Sequence, residues 1–142
     1  MVLPGDLVFS DQYESRLPGN FYTYKGTGLK TLTYKGGTVF CDNASGYISQ
    51  YCQSTFTSDE TVISKLRFEK ESMGSGVVVS RYRTDNGVFT AKGFLDELKS
   101  TGQSITHSGV GGHHHNGVAE NCIRNTVRMA RTMMIHCAII WP

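Results

Sequence analysis

The stretch Gly76-Val77-Val78-Val79-Ser80-Arg81-Tyr82-Arg83-Thr84-Asp85-Asn86-Gly87 decides how the rest of the chain is read. Three consecutive valines after a glycine have the composition and length of a buried strand. Residues 76–83 are therefore expected to form a central strand. Asp85-Asn86-Gly87 follows as a turn just past its end. The place matters because open α/β sheets collect ligands beyond the carboxyl ends of their strands.

Working upstream, Ser58-Asp59-Glu60 is a helix start with Ser58 or Asp59 as N-cap. Val62, Ile63, Leu66 and Phe68 put apolar groups at helical spacing over about 59–73, and Gly74 and Gly76 stop that helix. Near the amino end, Leu7-Val8-Phe9 leads to Asp11 in a strand over residues 6–13. Residues 37–41 form a second strand that ends at Asp42. A tight turn over 43–46 and a third strand over 47–55 complete a hairpin. Between the first two strands, 16–37 hold Pro18 with many tyrosines, lysines, threonines and glycines. The tyrosines and threonines suit a ragged hairpin, but the glycines argue for a mobile excursion.

Downstream of the opening stretch, Thr90 caps a helix over 91–100 that buries Phe94, Leu95 and Leu98, and Gly102 closes it. A short strand over 104–108 and a glycine-rich loop over 109–112 lead to His113-His114-His115 and Asn116-Gly117. Ile123, Val127, Ala130, Met134 and Cys137 then form one apolar stripe of a long helix. Glu120, Arg124, Arg128 and Arg131 share another face. The order β, β, β, α, β, α, β, α predicts an α/β fold, a mixed sheet with helices on its faces.

The 142 residues suit one domain, and 39% apolar against 18% charged residues supports a single core. A net charge of +2 is weak support for a nucleic-acid partner, so any DNA contact needs a local concentration of basic groups. Cys41, Cys52, Cys122 and Cys137 contain no C-x-x-C pair, which argues against structural zinc and for free thiols. No signal peptide is expected, and the apolar stretch 133–141 is too short to span a bilayer. Asn43-Ala44-Ser45 fits a glycosylation sequon by chance.

Asp11, Asp85 and Glu120 are the candidate catalytic and metal-binding carboxylates. Gathered at one sheet end, they would repel and raise one another's pKa, and a hard divalent cation relieves that repulsion. Paired cations of this kind serve in-line displacement at phosphorus. Asp42 also follows a strand and is the rival within the site. It is read as structural, an Asx-type turn. Adjacent histidines cannot all face one tetrahedral centre, so the 113–115 run is read as a loop entering the site, with His114 near phosphate. His107 and His136 are read as structural. Arg124, Arg128 and Arg131 make either a solvated face or, beside Glu120, a phosphate-holding one.

Two blocks carry a family resemblance. One is Tyr82-Arg83-Thr84-Asp85-Asn86-Gly87-Val88-Phe89, with Phe94 beyond. The other is His114-His115-Asn116-Gly117-Val118-Ala119-Glu120, followed by Ile123-Arg124 and Met129-Ala130-Arg131-Thr132-Met133. Together they resemble the integrase catalytic core of Copia-type retrotransposons. Gly5-Asp6-Leu7-Val8 with Asp11 resembles that family's first catalytic segment, and Val39-Phe40-Cys41-Asp42 with Ser45-Gly46 its next strands. Ser108 to His114 is similar to the form found in elements of diatoms and other algae.

The resemblance implies an RNase H-like fold with a five-stranded sheet and the triad Asp11, Asp85 and Glu120. It implies two Mg²⁺ or Mn²⁺ ions, a DNA substrate touched by Arg124, Arg128, Arg131, His114 and Asn116, and a nuclear site of action. The implied reaction joins 3′ ends of element DNA to target DNA by attack of a 3′-hydroxyl on a phosphodiester. A homodimer or higher oligomer is also implied. Ile135, Ile139, Ile140 and Trp141 could serve that contact or could be core. The family's zinc-binding N-terminal and its C-terminal domains are expected to lie outside residues 1–142. The spacing of 34 residues between Asp85 and Glu120 is one short of the commonest retroviral spacing. Val88, Asn121-Cys122 and Ile123 also depart from the pattern. These departures motivate a second reading, an inactive DNA- or protein-binding or dimerisation module.

Overall fold

The computed structural model describes residues 1–20, 33–108 and 116–140. Its elements run β1 (Val8–Asn20), β2 (Thr33–Asp42), β3 (Ile48–Gln53), α1 (Ser58–Gly74), β4 (Arg81–Thr84), α2 (Lys92–Ser100), β5 (Ser104–His107) and α3 (Gly117–Ile140), with a 3-10 turn at Val88–Thr90. The five strands form one mixed sheet in the order β3-β2-β1-β4-β5. β1, β2 and β3 pair antiparallel, and β1-β4 and β4-β5 pair parallel. This is the expected α/β sheet flanked by helices.

Alternation along β1 divides the core in two. Val8 joins Phe40, Tyr51, Phe68, Val79, Tyr82, Phe89, Phe94 and Leu98 on the side of α1 and α2. Phe9 joins Val39, Cys41, Ala119 and Cys122 on the side of α3. The first cluster holds most of the aromatic area, including Phe40 stacked on Phe68 at 4.9 Å between ring centroids. All four cysteines are free, Cys41 and Cys122 buried and Cys52 and Cys137 exposed. Among the described residues no helix is long and apolar enough to cross a membrane.

Several expectations are corrected. The first strand does not stop near residue 13. β1 and β2 stay paired out to Gly19–Tyr34 and Asn20–Thr33, with a register shift after Glu14. Glycines that suggested a mobile excursion instead allow close strand approach: a Cβ on Gly36 would stand 2.0 Å from the Tyr13 carbonyl oxygen. Residues 21–32 of the expected excursion lie outside the described ones. The valine run is not the strand. Gly76 adopts φ +76°, and Val77 N–H still bonds Ser72 of α1 at 3.0 Å, so the ladder begins only at Arg81. Val78 is exposed and only Val79 is buried in the core.

The faces of two helices also differ. α1 buries Thr61, Ser64, Lys65, Phe68 and Ser72, whereas Ile63 and Leu66 are exposed. Its cap is Thr57, whose hydroxyl accepts Glu60 N–H at 3.4 Å, in place of Ser58 or Asp59. Thr90 caps no helix; its hydroxyl donates back to the Asn86 and Gly87 carbonyls, both at 2.9 Å. In α3 only Ala119 and Cys122 are buried and Ile123 is half-buried, whereas Val127, Ala130, Met134 and Cys137 are exposed. The apolar periodicity is real, but among the described residues nothing covers the second half of the helix. Ile135, Ile139 and Ile140 are likewise exposed, so they are not core in this chain.

Candidate functional site

β1 is a central strand with β4 beside it in parallel. The pairs Val8–Tyr82 and Phe9–Arg83 set the register. Two residues further along, the same register puts Asp11 abreast of Asp85, just beyond the last residue of β4. Asp11 lies on the β1 face shared with Phe9 and Tyr13, which pack against α3. Glu120 sits in the first turn of α3, one residue past buried Ala119. Sheet register and helix docking thus bring three carboxylates, far apart in sequence, to one sheet end.

Their charges interact. Burial, reinforced by the charge of Asp85 and less strongly by that of Glu120, pushes the Asp11 carboxyl up to about 6. The opposing influence is a hydrogen bond from Gln12 N–H to Oδ1 at 2.8 Å. Asp85 and Glu120 are exposed and Asp11 half-buried. Among the described residues no three Asp, Glu, His or Cys side chains are already gathered closely enough to hold an ion. The donor set nevertheless fits a hard divalent cation: three hard oxygen ligands, one raised in pKa by burial and by its neighbours' charge, and two exposed to solvent.

The DNG turn is fixed from several sides. Asp85 Oδ1 accepts Gly87 N–H at 3.2 Å, an Asx turn. Asn86 Nδ2 donates to the Ser108 carbonyl at 3.1 Å, and Ser108 bonds back to the Thr84 carbonyl through N–H at 2.9 Å and Oγ at 3.1 Å. His107, read from sequence as structural, lies at the turn itself. Its Nδ1 is 3.0 Å from Thr84 Oγ1 and 3.1 Å from the Asp85 carbonyl oxygen. Sequence reading missed this link, and its one available signal was the position of His107 at the end of a strand parallel to β4.

Asp42 stands at the other end of the strand pair, opposite Val8. Although burial works against ionisation, donors from Gly5, Ser45 and Ala44 hold its carboxyl below the usual range. Oδ1 accepts Gly5 N–H at 2.8 Å, and Oδ2 accepts Ser45 N–H and Oγ–H, both at 2.7 Å. These bonds fit the structural reading of Asp42 as a turn former. Asp42→Ala should cost about 1–3 kcal/mol in urea unfolding, because it strands the buried Gly5 N–H and unties the turn at Ser45, yet leave Mn²⁺ affinity within about twofold of the unsubstituted chain. A tenfold weaker Mn²⁺ affinity in the folded variant would return Asp42 to the site.

Arg124, Arg128 and Arg131 are exposed on α3, spaced to share the Glu120 face. Asn116 does not join them as an exposed phosphate contact. It is only 3% exposed, and its Nδ2 donates to the Ser10 carbonyl at 3.2 Å. His114, with the rest of the 113–115 run, lies outside the described residues.

The raised Asp11 pKa has a consequence for stability. The native state keeps this proton at pH values where the unfolded chain has lost it. The favourable contribution is complete below the ordinary value of 3.8 and is lost as pH rises through about 6. Without divalent cations, Asp11→Asn should therefore raise Tm at pH 8, and the gain should fade by pH 4. An unchanged Tm at pH 8 would contradict this burial and crowding of the Asp11 charge.

The fold is that of integrase catalytic cores, an RNase H-like sheet with helices on both faces. No family model and no curated protein matches the sequence. Among solved structures, the chain is similar to the HTLV-2 integrase catalytic core domain in complex with magnesium. The trimeric form matches with TM-score 0.67 at 20% identity, over 96% of this chain and 76% of that one. The dimeric form matches with TM-score 0.66 at 20% identity, over 99% of this chain and 79% of that one. The catalytic core domain of BIV integrase matches with TM-score 0.58 at 17% identity, over 84% of this chain and 65% of that one.

Proposed function

We propose that the chain is an integrase catalytic core, of the retrotransposon type its sequence resembles, acting as a metal-dependent polynucleotidyl transferase on DNA. The observation that carries this reading is the convergence of Asp11, Asp85 and Glu120 at one sheet end, where burial, and after it the charges of the latter two, raise the pKa of Asp11. These residues would hold Mg²⁺ or Mn²⁺, two ions in the working state. When bound, such ions supply activation of the attacking oxygen and charge stabilisation at the leaving oxygen of a phosphodiester. The rest falls to the chain itself. β1 and the DNG turn fix two of the carboxylates, and the docked start of α3 presents the third. Arg124, Arg128 and Arg131 offer positive charge on the Glu120 face to hold phosphates.

In this reading the substrates are the 3′ ends of element DNA and target DNA, the place of action is the nucleus, and the working unit is a homodimer or larger. The neighbours' magnesium-bound, dimeric and trimeric forms support the cation and the oligomer. The second reading, an inactive DNA- or protein-binding or dimerisation module, draws on the exposed apolar half of α3, where Met134, Ile139 and Ile140 are 66–76% exposed. A branched DNA substrate separates the two. With Mn²⁺ or Mg²⁺, the core should reverse strand joining on it, and chelation should stop the reaction. A folded chain that stays inert with either ion, and binds neither at these carboxylates, decides for the inactive module.

A further inference from the structure

We propose that Asn116 is a positioning residue that ties the amino end of α3, and with it Glu120, to the strand carrying Asp11. The proposal rests on the metal-binding reading of the three carboxylates. Its geometric basis is a single directed contact: Asn116 Nδ2 donates to the carbonyl of Ser10, at 3.2 Å, in the interior. Ser10 immediately precedes Asp11, and Asn116 lies four residues before Glu120, about one helical turn or roughly 6 Å along the axis. One hydrogen bond therefore joins the backbone beside one carboxylate to the helix start beside another.

Among the described residues, the apolar contact near the helix start is modest, with Ile123 packed beside two buried residues. The buried residues of α3 are Ala119 and Cys122. Both are small, and apolar contact of that size sets depth better than rotation or axial position. Gly117, directly after Asn116, adds no side chain of its own. Small apolar contacts of this kind leave room for a shift of about 1 Å, more than a precise site tolerates.

The chemistry of residue 116 points the same way. Asn116 is 3% exposed, and its Oδ1 meets no donor among the described residues. Burying such an acceptor costs about 1–3 kcal/mol. A leucine of similar size would avoid that cost. What the amide adds is the directed Nδ2 bond to the β1 backbone, so its value lies in orientation more than in packing.

The test measures Mn²⁺ binding to the whole chain, by the loss of the free-ion electron paramagnetic resonance signal. Asn116→Leu keeps the volume and removes the donor. Asn116→Gln keeps an amide. Loss of a supporting contact of this kind weakens metal affinity by about 10–100-fold. Asn116→Leu should therefore bind Mn²⁺ at least tenfold more weakly, and Asn116→Gln should recover a large part of that loss. A second readout needs no metal. The amides of residues 121–124, which bond to the first turn of α3, should exchange about tenfold faster in Asn116→Leu, with exchange in α1 unchanged. Mn²⁺ affinity and exchange equal to the unsubstituted chain in Asn116→Leu would overturn the proposal and leave the metal reading intact. So would a Gln variant no better than the Leu variant. An unsubstituted chain that binds no Mn²⁺ would overturn both.

Discussion

Glu120→Gln should reduce metal-dependent reversal of strand joining by about a thousandfold or more, while the protein stays folded. The magnitude follows from what one carboxylate does in a site that stabilises charge. Removing a group that helps hold the cation costs several kcal/mol of transition-state stabilisation, and each 1.36 kcal/mol is tenfold in rate. The fold should survive because Glu120 is exposed and no hydrogen bond or ion pair to another described residue depends on its charge. Relief of its repulsion on Asp11 should even stabilise the apo protein slightly. Asp85→Asn should behave alike in activity. Its amide can still accept Gly87 N–H, now 3.2 Å from Oδ1, so the Asx turn survives while the negative charge is lost. Activity within tenfold of the unsubstituted chain for either variant would remove that residue from the catalytic set.

Much of this site was legible because the local signals were chemical. Asp-Asn-Gly after a strand marks a turn with a carboxylate at its start, and the structure makes that turn. Glu120 one turn into a helix needs only the helix to be recognised. Asp11 was harder, since Asp6 and Asp42 are neighbours of the same type. Pairing register separates them. Asp11 lies abreast of Asp85, whereas Asp42 lies opposite Val8 at the other end of the strand. Register is a long-range property that a single sequence does not display.

The misreadings share one physical origin: tertiary context overrode local composition. Val77-Val78-Val79 has strand composition, but a left-handed Gly76 and the bond from Val77 N–H to Ser72 keep it attached to the end of α1. The exposed half of α3 has full helical periodicity, but periodicity reports an apolar stripe and not whether anything covers it. α1 was read from Val62, Ile63, Leu66 and Phe68, yet Lys65 shares the buried face with Phe68. A lysine there is invisible to a hydrophobic template. It is tolerated because two acidic side chains meet it.

That lysine defines the largest stability effect expected in the molecule. The Lys65 side chain is fully buried, with Nζ 3.1 Å from Glu69 Oε1 and 3.7 Å from Glu97 Oε1. Glu69 Oε1 also accepts the Tyr82 hydroxyl and Gln103 Nε2, both at 2.6 Å. One carboxylate therefore satisfies donors from α1, from β4 and from the residue preceding β5. Glu69→Leu would strand the Tyr82 hydroxyl, leave Gln103 Nε2 with the Val79 carbonyl and leave the ammonium with Glu97 alone. Breaking a buried pair from one side costs about 3–5 kcal/mol, because an uncompensated charge stays inside. Urea unfolding of Glu69→Leu should show a loss of that size. Lys65→Met combined with Glu69→Leu should regain most of it, since replacing both charges by apolar groups of similar volume is often neutral. The Tyr82 hydroxyl would still lack an acceptor and Gln103 Nε2 would keep only the Val79 carbonyl, at 3.0 Å, which sets a residual cost of about 1–3 kcal/mol. A double variant as unstable as the single one would show that the three donors' shared acceptor, and not the buried charge, dominates. The difference bears on the site as well, because Tyr82 lies in β4, three residues before Asp85, and its hydroxyl is the tether between that strand and α1.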